Sequence, residues 1–330
     1  MGTPASSRRT SAVNEEDLLD VSWWYYVDGL TQDQIAERLS VSRASVARMI
    51  DKARLAGIVQ FRIAPKFLAN YESAQNIKQA FGLRDIMVVP DMASEGQSMV
   101  DENTRLGTLA ANVLLSELRD GGTLGLGWGQ AVSTVMSILD DEELEGIDLV
   151  SLTGGVNAYA NAIRQVRSRG GNNSQSNIIP TPLYVSNPEL ASQLRKEETV
   201  KGALENARKV DVALTGIGGI GLESSLWRSG TSSEEDLQEV RESGAVGDLL
   251  AVFFDKDGSP VPLSRDACRI GIGMDALEQI PVVVAVAAGR AKHEAILAAL
   301  KTKCIDVLVT DTATVDYLRD AIGPQVLAGS

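Results

Sequence analysis

Apolar positions follow two regimes along this chain. From 15 to about 81 they recur at helical spacing. Leu18, Leu19, Val21, Trp23 and Tyr26 predict one amphipathic helix, ended by Asp28-Gly29. Thr31 is suited to cap a short second helix, QDQIAERL. After the turn SVS, Ser42 can cap a third from Arg43 to about Leu55, which Gly57 stops. IVQFRI then alternates like a short strand, and Leu68, Tyr71, Ala74, Ile77 and Phe81 predict a connecting helix. From 83 onward short apolar runs take over: DIMVVP, GGTLGLGWG, IDLVSLTGG, VDVALTGIGG, DLLAVFFDKDG, IPVVVAVAAG and IDVLVTDTA. Between them lie helical patterns around 100–119, from Ala131, near 187–208, around 291–301 and at the C-terminal end. Repeated βα units of this kind predict a mainly parallel sheet covered by helices on both faces. The expected fold is therefore α/β, with a small winged helix-turn-helix domain ahead of a mainly parallel-sheet domain. The expected divisions are a disordered N-terminus (1–14), a helix-turn-helix domain (15–64), a connecting helix (65–82) and a mainly parallel-sheet domain (83–330).

The spacing within 31–55 is that of a helix-turn-helix. Ala36 falls where two helices approach closely, and Ile35, Val46 and Met49 or Ile50 fill the core between them. Ser40 stands where such turns usually carry glycine, so it must tolerate a positive φ or shift the turn. Arg43, Ala44, Ser45 and Arg48 lie on the N-terminal half of the third helix, where side chains reach base edges; Arg43 or Arg48 could pair with guanine O6 and N7. Lys52 is placed for phosphates. Thr31, Gln32 and Ser42 complete the candidate DNA contacts. The run Trp23-Trp24-Tyr25-Tyr26 reads as core and dimer packing rather than a platform for stacked bases.

Charge changes the picture only in its distribution. The net charge is −13, which argues against broad nucleic-acid affinity, but residues 1–66 hold nine Lys/Arg against eight Asp/Glu. The remaining 264 residues hold 22 against 36, so DNA contact must be local to the head. At 330 residues the chain suits two or three domains, and it has no apolar run of about 18 residues to span a membrane. No apolar segment follows the early arginines, so a secretory signal is not expected. Cys268 and Cys304 match no metal spacing or disulfide framework, which fits a cytoplasmic protein without a metal or cofactor.

Candidate chemistry in the body lies in glycine-rich strand ends. Gly125, Gly127, Trp128 and Gly129 form one; Thr153, Gly154 and Gly155 a second; Gly216, Gly218 and Gly219 a third; and Ala288-Gly289 and Thr310-Asp311-Thr312 two more. Backbone N–H groups at such ends, with helix N-termini, make anion sites. Five converging loops describe a pocket for a small phosphorylated molecule, at the sheet edge where open α/β folds bind ligands. Gly216, Gly218 and Gly221 also match GxGxxG. A dinucleotide fold needs a second strand ending in an acidic residue about 20 positions later, and LESSLWRSGTSSEEDLQEVRESG supplies none. Asp311 is suited to cap the last helix. Arg164, Arg167 and Arg169 read as a solvated helix face.

YYVDGLTQDQIAERLSVSRASVARMIDKARLAGIV resembles the head of SorC-family transcriptional regulators, and the likeness continues through the body. It implies that 83–330 is a sugar-phosphate-type effector-binding and oligomerisation domain, with a fold related to sugar-phosphate isomerases and CoA transferases. The implied function is a DNA-binding regulator, more often a repressor, whose operator binding is controlled by a phosphorylated sugar or related metabolite. The implied partners are a double-stranded DNA operator, the effector and further copies of the chain as a dimer or tetramer. LGLGWG resembles the family's phosphate-cradling turn, and SLTGG and ALTGIGG its further loops. Asp248 matches an acidic residue that accepts effector hydroxyls, and Lys292 a lysine that binds phosphate. Where family members commonly carry arginine or hydroxyl residues after the WG pair, this chain has Gln130 and Ala131, with Ser133 and Thr134 the nearest substitutes. The alternative is an isomerase- or aldolase-like enzyme with an accessory head. Such chemistry needs a carboxylate or lysine of shifted pKa, and Asp248, Asp311 and Lys292 are its candidates.

Overall fold

Capping residues set the head's helices. In the computed structural model, which describes residues 15–59, 65–89, 99–140, 142–155, 176–221, 224–228 and 232–323, the chain divides into two units, Met1–Leu68 and Ala69–Ser330. The first holds α1 (Glu15–Tyr26), α2 (Gln32–Leu39) and α3 (Arg43–Leu55). Thr31 caps α2 through a reciprocal box with Gln34, and Ser42 Oγ accepts the Ser45 N–H at 3.1 Å to cap α3. Leu18, Val21, Ile35, Ala36, Val46, Met49, Ile50 and Ala53 form the core between the helices. Of the apolar stripe expected on α1, only Leu18 and Val21 are buried, whereas Leu19 and Trp23 are more than half exposed and Tyr26 is 38% exposed. Trp24 and Tyr25 rest on the core instead, and Arg38 stacks over the Trp24 ring at 4.3 Å. Of the strand expected at 58–63, Ile58 and Val59 pack on this core and the remainder lies outside the described residues. Residues 1–14 and the arginines at 164, 167 and 169 lie outside them too.

Ser40 closes α2 in the left-handed region, with φ 56°. An L-residue there costs about 1–2 kcal/mol, and glycine gives back part of that gain as chain entropy. Ser40→Gly is therefore expected to stabilise the head by about 0.5–1 kcal/mol, raising its thermal midpoint by a few degrees. Calorimetry on the full chain checks this; an unchanged or lower midpoint for the head's transition contradicts it.

The second unit is built on a seven-stranded sheet, all pairs parallel, in the order β1-β10-β9-β5-β2-β3-β4. The strands are β1 (Asp85–Val89), β2 (Thr123–Leu126), β3 (Asp148–Ser151), β4 (Ser176–Asn177), β5 (Val212–Gly216), β9 (Val282–Val286) and β10 (Val307–Asp311). Central strands buried on both faces read as continuous apolar runs, which is why VVVAV and VLVTD show no alternation. Val282, Val284 and Val286 face one layer, packed by α5 (Met99–Glu117) and α6 (Gln130–Ile138). Val283 and Ala285 face the other, packed by α4 (Pro65–Phe81) through Ala74 and Ile77 and by two C-terminal helices. The predicted helix near 187–208 is two, α7 (Pro188–Leu194) and α8 (Glu198–Ala207), because Asn187 caps the first and the chain turns at 195–197. Short α9 (Ser225–Arg228) and α10 (Glu234–Glu242) follow, then α11 (Met274–Leu277), α12 (His293–Lys301) and α13 (Thr312–Ile322).

DLLAVFFDKDG, expected as one strand among the βα units, folds as a hairpin. β7 (Ala245–Leu249) turns through Leu250 and Ala251 into β8 (Val252–Asp255), and with β6 (Gly218–Gly219) they form a separate antiparallel sheet. Among the described residues no helix is long and apolar enough to cross a membrane.

Candidate functional site

The chain leaves β2 for β3 and β4 on one side of the sheet, and β5 for β9 and β10 on the other. The carboxyl ends of adjacent β2, β5 and β9 therefore diverge at a crevice, as expected where strand order reverses. A cavity of about 330 Å³ lies there. Trp128, Gly129, Gln130 and Ala131 line it from the loop after β2, Gly216 to Gly219 from β5 and β6, and Val286 to Ala288, Ala291 and Lys292 from the segment after β9. Asp248 and Leu250 enter from the hairpin of the small sheet, which β6 carries over the crevice by pairing Gly218 with Asp248.

The elements expected to hold an anion are local. Gly129, at φ 117°, precedes α6 and makes no side-chain cap hydrogen bond, and the helix start carries the positive end of its dipole. Lys292 closes a 3-10 turn, Arg290–Lys292, one residue before α12 rather than inside it, and that end also lacks a side-chain cap. Burial lowers the Lys292 ammonium pKa, while Asp248 holds it up. Burial also pushes the Asp248 carboxyl up to about 6, against the Ala251 N–H and the Lys292 and Arg269 cations, which pull it down. Asp248 thus has two tasks: its Oδ2 accepts the Ala251 N–H at 2.9 Å, and the residue lines the cavity. Gly218 must lack a side chain here, because a Cβ would collide with the Asp248 carboxyl.

Other expected positions lie elsewhere. Gly125 and Gly127 do not line the cavity. A Cβ at Gly125 would stand 2.7 Å from Leu152 Cδ2, and one at Gly127 2.9 Å from Thr215 Oγ1, so both permit close packing inside the sheet. Thr153, Gly154 and Gly155 are also displaced from the cavity, since their loop is drawn into pairing with two neighbouring segments. Gly154 N–H donates to Ile270 O at 2.9 Å, Gly155 N–H to Thr181 O at 2.8 Å, and Thr153 bridges Gly271. Gly289 and the 310–312 end do not line it either; Asp311 caps α13 through Thr314 N–H at 2.7 Å and accepts the Gly289 N–H at 3.0 Å. Three of the five expected strand ends therefore converge. Thr134 lines the cavity and Ser133 is exposed; the Thr134 hydroxyl is engaged with Gln130 O at 2.9 Å. Asn103, Leu106, Gly107, Ser224, Leu226 and Arg228 complete the lining and were not legible from motifs, because tertiary packing alone brings them there.

In the head, Arg43, Ala44, Arg48 and Lys52 are exposed along α3. Arg43 stands 3.7 Å from Asp33, and Arg48 Nε donates to its own helix at Ala44 O at 3.2 Å, weak restraints that an incoming base or phosphate can replace. Thr31 and Ser42 are committed to capping, and Ser45 Oγ lies 2.9 Å from Ser42 Oγ. Gln32 opens α2 beside them. Among the described residues no group of three or more His, Cys, Asp or Glu could hold a metal ion.

The chain resembles known proteins at the level of family, sequence and structure. Residues 66–318 match the family described as "Putative sugar-binding domain". The chain is 36% identical over 308 residues to the transcriptional regulator LsrR of Klebsiella pneumoniae subsp. pneumoniae, covering 92% of this chain and 93% of that one. It is also 36% identical over 304 residues to LsrR of Escherichia coli K12, covering 91% and 93%. The full-length sorbitol operon regulator SorC from Klebsiella pneumoniae superposes with a TM-score of 0.67, over 94% of this chain and 100% of that one, at 24% identity, which bears on fold alone. The "Putative Sugar-Binding Domain of Transcriptional Repressor" from Vibrio fischeri superposes with a TM-score of 0.66, at 28% identity, over 76% and 98%.

Proposed function

We propose a function from one premise: the chain belongs to the SorC family of transcriptional regulators. It is a transcriptional regulator with a sugar-binding domain, and not an enzyme. Our reading is that it acts as a repressor, holding an operator through α3 and releasing it when a phosphorylated sugar or related metabolite fills the cavity. The observation that carries the effector half is the meeting of the α6 start at Gly129–Ala131, the partly buried Lys292 and the buried Asp248 in one cavity. The phosphate is assigned to those backbone N–H groups and Lys292, and the hydroxyls to Asp248. Gln130 and Ala131 offer no cation, so the charge is assigned to Lys292, with the more exposed Arg228 also on the lining. The repressor sign is supported by the relative from Vibrio fischeri being named a repressor.

In the head, Arg43, Ser45 and Arg48 are assigned to base edges, and Lys52 to a phosphate, with Thr31, Gln32, Ser42 and Ala44 at the same surface. Two-fold operators call for at least a dimer, and a homo-oligomer is part of the proposal. Effector and operator are then linked by one coupling free energy, so each alters the other's affinity by the same factor.

Fluorescence anisotropy with DNA from the region upstream of the protein's own gene, against scrambled DNA, tests this. Sequence-preferring binding is expected, and Arg48→Ala should cost it about 1–3 kcal/mol, or roughly 5- to 150-fold. Lys52→Ala should instead weaken both DNAs alike and flatten the salt dependence by about one ion. Equal losses on both DNAs in Arg48→Ala would remove Arg48 from base reading. Tighter operator binding on adding a sugar phosphate would overturn the repressor sign.

A further inference from the structure

The turn between β7 and β8 holds two residues in the left-handed region, Leu250 at φ 55° and Ala251 at φ 61°. Two-residue hairpin turns of this kind favour Asn and Gly, which adopt positive φ at little cost. Here both residues are apolar and almost fully buried, so neither solvent nor residue type favours the conformation. The turn also matters to the cavity: Leu250 lines it, and the Ala251 N–H anchors the Asp248 carboxyl.

What holds the turn from outside the hairpin is a guanidinium. Arg269 donates from Nη1 to Leu250 O at 3.1 Å and from Nη2 to Ile272 O at 2.7 Å, while Tyr184 Oη reaches Ala251 O at a longer 3.4 Å. Arg269 is only 9% exposed, and among the described residues no carboxylate stands within ion-pair distance of it. A buried cation without such a partner is costly to keep. Its fork instead joins the turn to the 268–272 segment, which pairs through Gly271 with Thr153 and through Ile270 O with Gly154. The SLTGG loop therefore supports the cavity indirectly.

We propose that Arg269 is the positioning residue of the cavity: its two hydrogen bonds hold the left-handed Leu250–Ala251 turn, and the turn fixes the Asp248 carboxyl at the cavity wall. The claim that this placement serves effector binding rests on the function proposed above. Arg269 and Lys292 are the cations that act on Asp248, and they act separately, since only Arg269 touches the turn.

The test compares the full-length protein with Arg269→Gln, Arg269→Lys and the double variant Arg269→Gln/Ala251→Gly. It follows amide exchange at Ala251 and at β9, and the Asp248 carboxyl by NMR of aspartate-labelled protein. In Arg269→Gln, Ala251 exchange should rise at least tenfold with β9 unchanged, and the Asp248 titration should move to higher pH. Arg269→Lys keeps the charge without the two-carbonyl fork, so exchange should rise while the titration stays near wild type. Ala251→Gly should restore protection, because glycine takes positive φ freely. Unchanged Ala251 exchange in Arg269→Gln overturns the proposal, as does a uniform loss of protection across the body, which marks a merely structural residue. None of these readouts needs an effector. A failed screen of sugar phosphates would count against the effector reading and leave the role of Arg269 in the turn standing.

Discussion

Lys292→Met is expected to weaken binding of a phosphorylated effector by about 2–5 kcal/mol, from roughly thirtyfold to several thousandfold, and to leave effector-free operator binding unchanged. The loss should be this large because Lys292 is the cation beside Asp248 in the cavity, and the further anion donors are backbone N–H groups at α6 and the more exposed Arg228. Burial already disfavours its ammonium, so a phosphate that enters restores a partner to a charge short of water. Methionine keeps most of the length and the apolar contacts, which confines the change to charge. Calorimetric titration of wild type and variant with the sugar phosphate that releases operator DNA measures it. Arg228 also lines the cavity, from a more exposed position, and Arg228→Met should cost less, since water screens its charge. A Lys292→Met affinity within a few-fold of wild type would move the phosphate away from that end of the cavity.

Asp248→Asn should stabilise the body at pH 7.5 and abolish the effector response. The Asp248 carboxyl rises from 3.8 in the unfolded chain to about 6 in the folded one, principally through burial. A raised carboxyl pKa means that the folded state retains the proton longer. The associated stability is fully present below about pH 4 and is lost as pH rises through about 6. Above that, holding the carboxylate costs on the order of 3 kcal/mol. Asparagine stays neutral and can still accept the Ala251 N–H. The variant should therefore gain a few kcal/mol at pH 7.5 but only about 1 kcal/mol at pH 4.5, in urea unfolding followed on the body's transition. A variant less stable at both pH values would show that Lys292 and Arg269 already compensate the carboxylate. Stability given up at one buried acid in a cavity is a mark of a group kept for its ligand.

The head was legible almost residue by residue. Thr31 and Ser42 cap where their side chains predict, Ser40 takes the positive φ that the missing glycine demands, and Ile35, Val46, Met49 and Ile50 are buried together. All of these are contacts within a few turns of chain, so composition and spacing determine them. The α1 stripe was misread because Leu19, Trp23 and Tyr26 are apolar without facing the core; the position of α3 decides which side of α1 is covered. In the body, the parallel sheet was legible from its continuous apolar runs, and Asp248 and Lys292 from resemblance. The hairpin was not. Leu250 and Ala251 carry no turn signal of their own, and the groups that bond to the turn, Arg269, Tyr184 and the Asp248 carboxyl, meet it only in the folded structure.

By itself, then, the sequence determined what short-range physics can determine: the caps, the three-helix head, the run of βα units and the acidic charge of the body, which argues against DNA contact outside the head. Tertiary structure alone decided which glycines face the cavity. Gly125, Gly127 and the 153–155 loop are chemically equivalent in sequence to Gly129 and Gly216, yet they serve packing and pairing. Strand order is the reason: β2, β5 and β9 are neighbours at the point where the sheet reverses direction, and β3 lies outside it. Which strands are neighbours depends on contacts between residues far apart in sequence, such as Leu124 with Val212 across β2 and β5 and Asp85 with Val307 across β1 and β10, which no local pattern encodes.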